Sequence, residues 1–201
     1  PILVHLYSEV LQKFRLAARG RGLSRQPPDA LRKRVDAFFD PLPFYYEPLE
    51  SQAIDKVRYP LSAVTQRPMA MYHSWDSQNA WLRQIHTHNH LFVNPGVARA
   101  AGIEDGGWMW VESQWGKVRC VARYSEAVEP GTVWTWNAIG KAPGAWALAP
   151  DANESQRGFL LNHLISEELP GAGGAPGLSN SDPITGQAAW YDVRVRISAA
   201  M

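Results

Sequence analysis

The sequence predicts a mainly β chain with short helices, closed into a barrel and preceded by a helical appendage. Three observations predict it. From Tyr59 onward, runs of strand length either alternate apolar and polar residues or are apolar throughout. The helical stretches between them are too short for the long crossovers of a βαβ sheet, which leaves a closed all-β arrangement. Residues 1–58, by contrast, carry helical spacing followed by proline-punctuated chain, so they form a segment of their own before a barrel at 59–201.

The elements follow in order. Leu3, Leu6, Tyr7, Val10, Phe14 and Ala17 recur at helical spacing until Gly20 and Gly22 stop the run. A second helix runs over 29–39 after Pro27-Pro28, and its Arg32-Lys33-Arg34 trio reads as a solvated face. PLPFYYEPLESQAIDKVRYP lacks periodicity and reads as an extended connector. Strands are expected at 61–65, 90–94, 132–136 and 189–197, and as two arms of 108–124 around a turn at Gln114–Gly116. Helices are expected at 74–85, 94–102 and 160–169. In the second of these, Asn94 is the N-cap, Pro95 fits the first helical position and Gly102 is the stop. Glu129-Pro130-Gly131 suits a type II turn, and 171–187 is a long polar loop.

Composition narrows the function. An apolar content of 45% with 19% charged residues is globular, and a net charge of +1 creates no field for nucleic acid. Cys120 is the one cysteine, so there is no intrachain disulfide and no thiolate-rich metal site. No run approaches the ~18 apolar residues of a membrane helix. The Pro1 start and an apolar helix without a partner are expected of a portion of a longer protein.

Candidate chemistry begins with His86, His88 and His90, which would share one face of an extended segment. Their Cα atoms would stand about 6.5–7 Å apart, and convergence on one ion would demand a bend. With no Asp, Glu or Cys cluster beside them, they read as polar strand and turn residues. Ser74, Ser77 and Ser113 lie in no nucleophile elbow, Cys120 sits mid-strand, and no dinucleotide or phosphate-cradling glycine loop occurs. What stands out is a set of polar groups at strand ends: Thr65-Gln66-Arg67, Tyr72-His73-Ser74, Asn137, Asn162 and Asn180-Ser181-Asp182. Hydroxyls, amides and one guanidinium are suited to directional recognition of a phosphate or heterocycle.

The series LSAVTQRPMAMYHSWDSQN, LFVNPGVARAAGIEDGGWMWVESQWGKVRCVARYSEAVEPGTVWT, LLNHLI and SDPITGQAAWYDVRVRI resembles the molybdopterin-dinucleotide-binding domain that closes the catalytic subunits of dimethyl-sulfoxide-reductase-family molybdenum oxidoreductases. The resemblance runs from about Tyr59 to Ile197, and it implies a double-psi β-barrel. It further implies cofactor contacts at Thr65, Arg67, Tyr72, His73, Ser74, Asn79, Asn137, Asn162, His163, Asp182 and Gln187, with no catalytic residue and no metal ligand. Gln66 stands where many members have glycine, and His86, His88 and His90 match no cofactor residue.

The cofactor implied is a bis-molybdopterin guanine dinucleotide on molybdenum, held for two-electron oxo transfer by the whole subunit, with the isolated chain inactive and without cofactor. The sulfur-compound branch resembles the chain most, nearest the sulfite dehydrogenase subunits, with thiosulfate or polysulfide reductases and phenylacetyl-CoA oxidoreductases as close rivals. Its implied partners are the remainder of the same subunit, an iron–sulfur subunit for electron transfer and a membrane-anchor subunit. The cytoplasm is favoured over the periplasm. The alternative expectation is a non-enzymatic double-psi barrel that binds a protein or small molecule.

Overall fold

The computed structural model describes residues 7–22, 25–45, 51, 54–72, 79–86, 89–137, 161–166, 181–187 and 193–200. His73, Ser74, His88, the first part of the helix expected over 74–85, the start of the closing strand and most of the 171–187 loop lie outside them. The chain divides into two compact units. One comprises Pro1–Pro48 with Ser179–Ala189, the other Leu49–Leu178 with Trp190–Met201. The division falls at Pro48 rather than Tyr59, and the late polar loop clusters with the helices.

The helical unit is a hairpin of α1 (Glu9–Ala18) and α2 (Asp29–Phe38). Ser8 starts α1, its hydroxyl accepting from the Leu11 amide. Gly20, at φ +69°, supplies the left-handed turn after it. Ala17 and Val35 are the buried apolar residues of the helices. Around them Arg15 donates to Asp40 and Arg19 to Asp36, each at 2.6 Å, and Phe14 meets Phe39 edge-on at 5.8 Å. The predicted stripe on α1 is mostly open: Tyr7, Val10 and Phe14 are each more than half exposed. The basic trio on α2 needs a correction. Lys33 is exposed, but half-buried Arg34 donates from Nε to the Pro183 carbonyl at 3.0 Å. The spacing of charges along one helix could not reveal an acceptor 149 residues away.

The second unit is a closed barrel of six strands: β1 (Leu61–Gln66), β2 (His90–Val93), β3 (Trp108–Glu112), β4 (Lys117–Tyr124), β5 (Thr132–Trp136) and β6 (Val193–Ala199). Their order around the ring is β1-β5-β2-β4-β3-β6. β1–β5 and β2–β4 pair in parallel and the other four pairs are antiparallel. This is the expected mainly β barrel, with two parallel crossings woven into an antiparallel ring. Alternation drives it. Leu91, Val93, Met109, Val111, Cys120, Ala122, Val133 and Val195 point inward and are at most 2% exposed, each large side chain contributing about 1.5–3 kcal/mol by leaving water. The intervening residues face outward. Trp108 and Trp110 are among them, overlaid by Arg119 at 4.2 Å and Lys117 at 4.4 Å, whose stems cover the rings.

Strand direction sorts the connections to two rims. β1, β3 and β5 finish at the upper rim, where β2, β4 and β6 begin. The lower rim holds α4 (Pro95–Ala100) and the tight turns, while the four-residue α3 (Leu82–Ile85) lies on the β1–β2 connection of the upper rim. Asn94 caps α4 by accepting from the Gly96 amide at 3.0 Å, with Pro95 at its first turn, and Gly102 at φ +69° follows its end. Asp105 then accepts from the Tyr124 amide at 2.7 Å, and the Tyr124 hydroxyl donates to the Ile103 carbonyl at 2.6 Å. The turn at 129–132 closes with Thr132 N donating to Glu129 O at 2.9 Å. Gly131 lacks the positive φ that a type II turn requires, so the expected turn type is corrected. The Glu129 carboxylate holds the turn instead by accepting from the Gly131 amide at 2.7 Å. The helix expected over 160–169 is a single 3₁₀ turn, Leu161–Leu164, with Ile165 and Ser166 already outside it.

Two glycines serve opposite purposes. Gly106 has φ +77° and open space around it, whereas Gly116 has an ordinary φ but no room, since a Cβ there would overlap the His163 carbonyl oxygen. Gly116→Ala is expected to cost about 1–3 kcal/mol through overpacking, and Gly106→Ala about 1–2 kcal/mol through the left-handed backbone. Denaturant midpoints separate the causes. Asn, which tolerates that backbone, should recover part of the loss at Gly106 and deepen it at Gly116.

Candidate functional site

The upper rim gathers the polar strand ends. Parallel pairing sets Thr65 opposite Thr135 and Gln66 opposite Trp136, so the residues that follow β1 and β5 emerge side by side. The Asn137 amide donates to the Gln66 carbonyl at 2.9 Å and extends that pairing past the strands. Thr65 is half-buried in β1. Arg67 and Tyr72 are exposed, the guanidinium 5.7 Å from the centre of the tyrosine ring. Among the described residues the side-chain oxygen of Asn137 is buried without a hydrogen-bond partner. Such an atom costs free energy unless a ligand donor meets it.

On the neighbouring strand a buried polar knot holds the rim. Asn89, 1% exposed, donates from Nδ2 to the Trp136 carbonyl at 2.8 Å. The Thr135 hydroxyl, on a residue 2% exposed, lies 2.9 Å from Asn89 Oδ1 and 2.8 Å from the His90 carbonyl, and its single proton serves one of them at a time. The sequence alone points to neither Asn89 nor Thr135. An asparagine immediately before an apolar strand and a threonine at an inward position of TVWTW are the available signals. Asn162 and His163 are exposed on the 3₁₀ turn, which Leu164 anchors in the core and which the hairpin corner at Gly116 receives. Asn79 is exposed and its Oδ1 accepts from the amides of Trp81 and Leu82 at 3.0 and 3.4 Å, entering α3.

His86 and His90 of the alternating run have aromatic neighbours. His86 lies 5.4 Å from Trp136 and His90 6.5 Å from Phe92, beside the stacked Phe92–Trp134 pair at 4.0 Å. Among the described residues no three His, Cys, Asp or Glu side chains are grouped to hold a metal ion. Cys120 is 0% exposed, and burial pushes its thiol far above its ordinary range, away from nucleophilic use.

Asp182 and Gln187 belong to the helical unit. Asp182 Oδ1 accepts from the amides of Thr185 at 2.6 Å and Ile184 at 3.1 Å and from the Thr185 hydroxyl at 2.8 Å. The Asp182 amide donates to the Gln187 carbonyl at 2.7 Å, and Gly186 turns the chain at φ +73°. The Thr185 amide first, then the Thr185 hydroxyl, the Ile184 amide and Arg34, hold the Asp182 carboxyl below the ordinary aspartate range.

The closed barrel thus brings hydroxyl, amide and guanidinium groups together on its upper rim. The family described as "Molydopterin dinucleotide binding domain" matches residues 61–181, and the chain belongs to that family. It is 70% identical over 200 residues to a sulfite dehydrogenase subunit of Allochromatium vinosum, covering 100% of this chain and 21% of that protein. It is 32% identical over 115 residues to dimethyl sulfoxide/trimethylamine N-oxide reductase of Cereibacter sphaeroides, covering 56% of this chain and 13% of that protein. The chain thus spans about a fifth of the length of the first of these relatives. In fold it is similar to acetylene hydratase from Pelobacter acetylenicus, with a TM-score of 0.59, 20% identity, and coverage of 86% of this chain and 23% of that one.

The buried knot and the Asp182 turn can each be tested through their hydrogen bonds. Thr135→Val leaves buried acceptors short of a donor and should destabilise the barrel by about 1–3 kcal/mol, read from thermal unfolding; an unchanged transition would show that the knot does not hold the rim. The Asp182 contribution stands fully above the ordinary aspartate pKa and is lost as pH falls through the lowered folded value. Exchange of the Ile184 and Thr185 amides, corrected for the intrinsic pH effect, should therefore accelerate on acidification, and Asp182→Asn should abolish that dependence.

Proposed function

We propose that in the intact protein this chain is the C-terminal cofactor-holding domain of a molybdenum oxidoreductase catalytic subunit, and that the cofactor is the guanine form of the dinucleotide. The observation that carries the reading is the family match over 61–181 on a barrel whose upper rim presents Thr65, Arg67 and the buried, unpartnered Asn137 oxygen. These groups fit the ligand. Arg67 can pair with pyrophosphate oxygens, Thr65 offers a hydroxyl, and Asn137 offers an acceptor to a ring N–H. Tyr72, His73, Ser74, Asn79, Asn162, His163, Asp182 and Gln187 complete the proposed contact set by resemblance. When bound, the cofactor supplies the redox chemistry, while the residues of this chain bind and orient it.

The 70% identity to a sulfite dehydrogenase subunit supports a sulfur compound as substrate. The word "subunit" in that name supports partner chains, for which we infer an iron–sulfur electron carrier and a membrane anchor. Both relatives bear enzyme names, which favours this reading over a barrel that serves only as a binding module. The open Tyr7-Val10-Phe14 stripe then packs on the remainder of the subunit.

The intact subunit, purified and assayed for molybdenum and for guanine nucleotide released from the pterin, is expected to contain both. Arg67→Ala should lower their recovery about tenfold, the worth of one charge-assisted hydrogen bond. Intact protein free of molybdenum and pterin would sink the proposal.

A further inference from the structure

Charge spacing assigns Arg34 no role beyond a solvated helix face, yet it makes a contact that reaches across most of the chain. Its Nε donates to the Pro183 carbonyl at 3.0 Å, and Nη2 lies 3.5 Å from the Asp182 carbonyl. Neither Arg32 nor Lys33 does this: Arg32 pairs with Asp29 at 2.7 Å and with the Pro27 carbonyl at 3.3 Å, and Lys33 is exposed. The loop that Arg34 grips is shaped within itself. Asp182 folds it through the amides of Ile184 and Thr185, Gly186 closes it, and Pro183 at its start is buried. What the loop cannot do for itself is fix its place, since its internal bonds run only from one of its residues to another. A second side of it borders a cavity of about 550 Å³, where Asp182 and Ile184 line the wall with Tyr7, Leu11, Leu42 and Phe44 of the same unit.

We propose that Arg34 is a positioning residue for the Asp182–Gln187 loop. The guanidinium holds the loop's first carbonyls, so that the Asp182 turn presents Thr185 and Gln187 in one place and cofactor binding does not have to order them. This rests on the reading above that the loop meets the cofactor. A planar guanidinium addresses two successive carbonyls through a rigid fork, whereas the ammonium of lysine offers its donors from one atom on a flexible stem.

The test uses the intact subunit. Arg34→Ala should raise amide exchange at Ile184 and Thr185 about tenfold and lower recovered molybdenum and guanine nucleotide by a comparable factor, with Arg34→Lys intermediate in both. Arg32→Ala, on the same helix but bonded elsewhere, should change neither, which separates positioning from general loss of α2. Unchanged exchange in Arg34→Ala overturns the anchoring. Faster exchange with full cofactor retention overturns the positioning role, while loss of retention in Arg67→Ala in the same experiment would leave the cofactor reading standing.

Discussion

Antiparallel pairing of β1 with β6, from Leu61–Val195 to Ala63–Val193, closes the ring of strands and commits every connection to one of two rims. An open sheet would leave two edges with unpaired backbone groups, and its loops could drift relative to one another. Closure removes the edges and makes the ends of β1 and β5 permanent neighbours. The two parallel pairs matter most here, because only parallel strands finish together. It is this that sets Gln66 and Asn137 within one hydrogen bond of each other although 71 positions separate them (137 − 66).

The rims divide the work. The lower rim is built from short turns whose groups are satisfied locally: Asn94 on Gly96, Asp105 on Tyr124, Glu129 on Gly131. The upper rim leaves Arg67, Tyr72 and Asn162 exposed, and stability there comes from inside, through the Asn89–Thr135 knot and Leu164 of the 3₁₀ turn. Buried polar groups with full partners fix one arrangement, whereas the Asn137 oxygen is left for something else to satisfy. That contrast sets the upper rim apart from the lower.

The strands were legible because an alternation such as that of Met109, Val111, Val118 and Cys120 states its own face. α4 was legible because its cap, its proline and its stop are local. Ring order was not, since nothing in TVWTW says that it lies between β1 and β2. The turn at Gly131 was misread because Pro-Gly suits a type II turn in isolation, while the Glu129 carboxylate decides it in place. Asn89 was hidden in a run read as polar strand and turn residues, and Arg34 in a run of like charges. For Asn89 and Arg34 the deciding partner is remote in sequence. The proposed cofactor contacts rest on resemblance alone, because an amide at a loop start has no periodicity to betray its purpose.

Cys120, at the centre of β4, also gives the molecule an internal clock. A thiol sealed inside the ring meets a solvent reagent only when the ring opens, so its rate of modification counts openings rather than measuring reactivity. With one cysteine in the chain there is no second signal to subtract. The barrel thus reports its own integrity, unmodified, each time a pairing such as β1–β6 gives way.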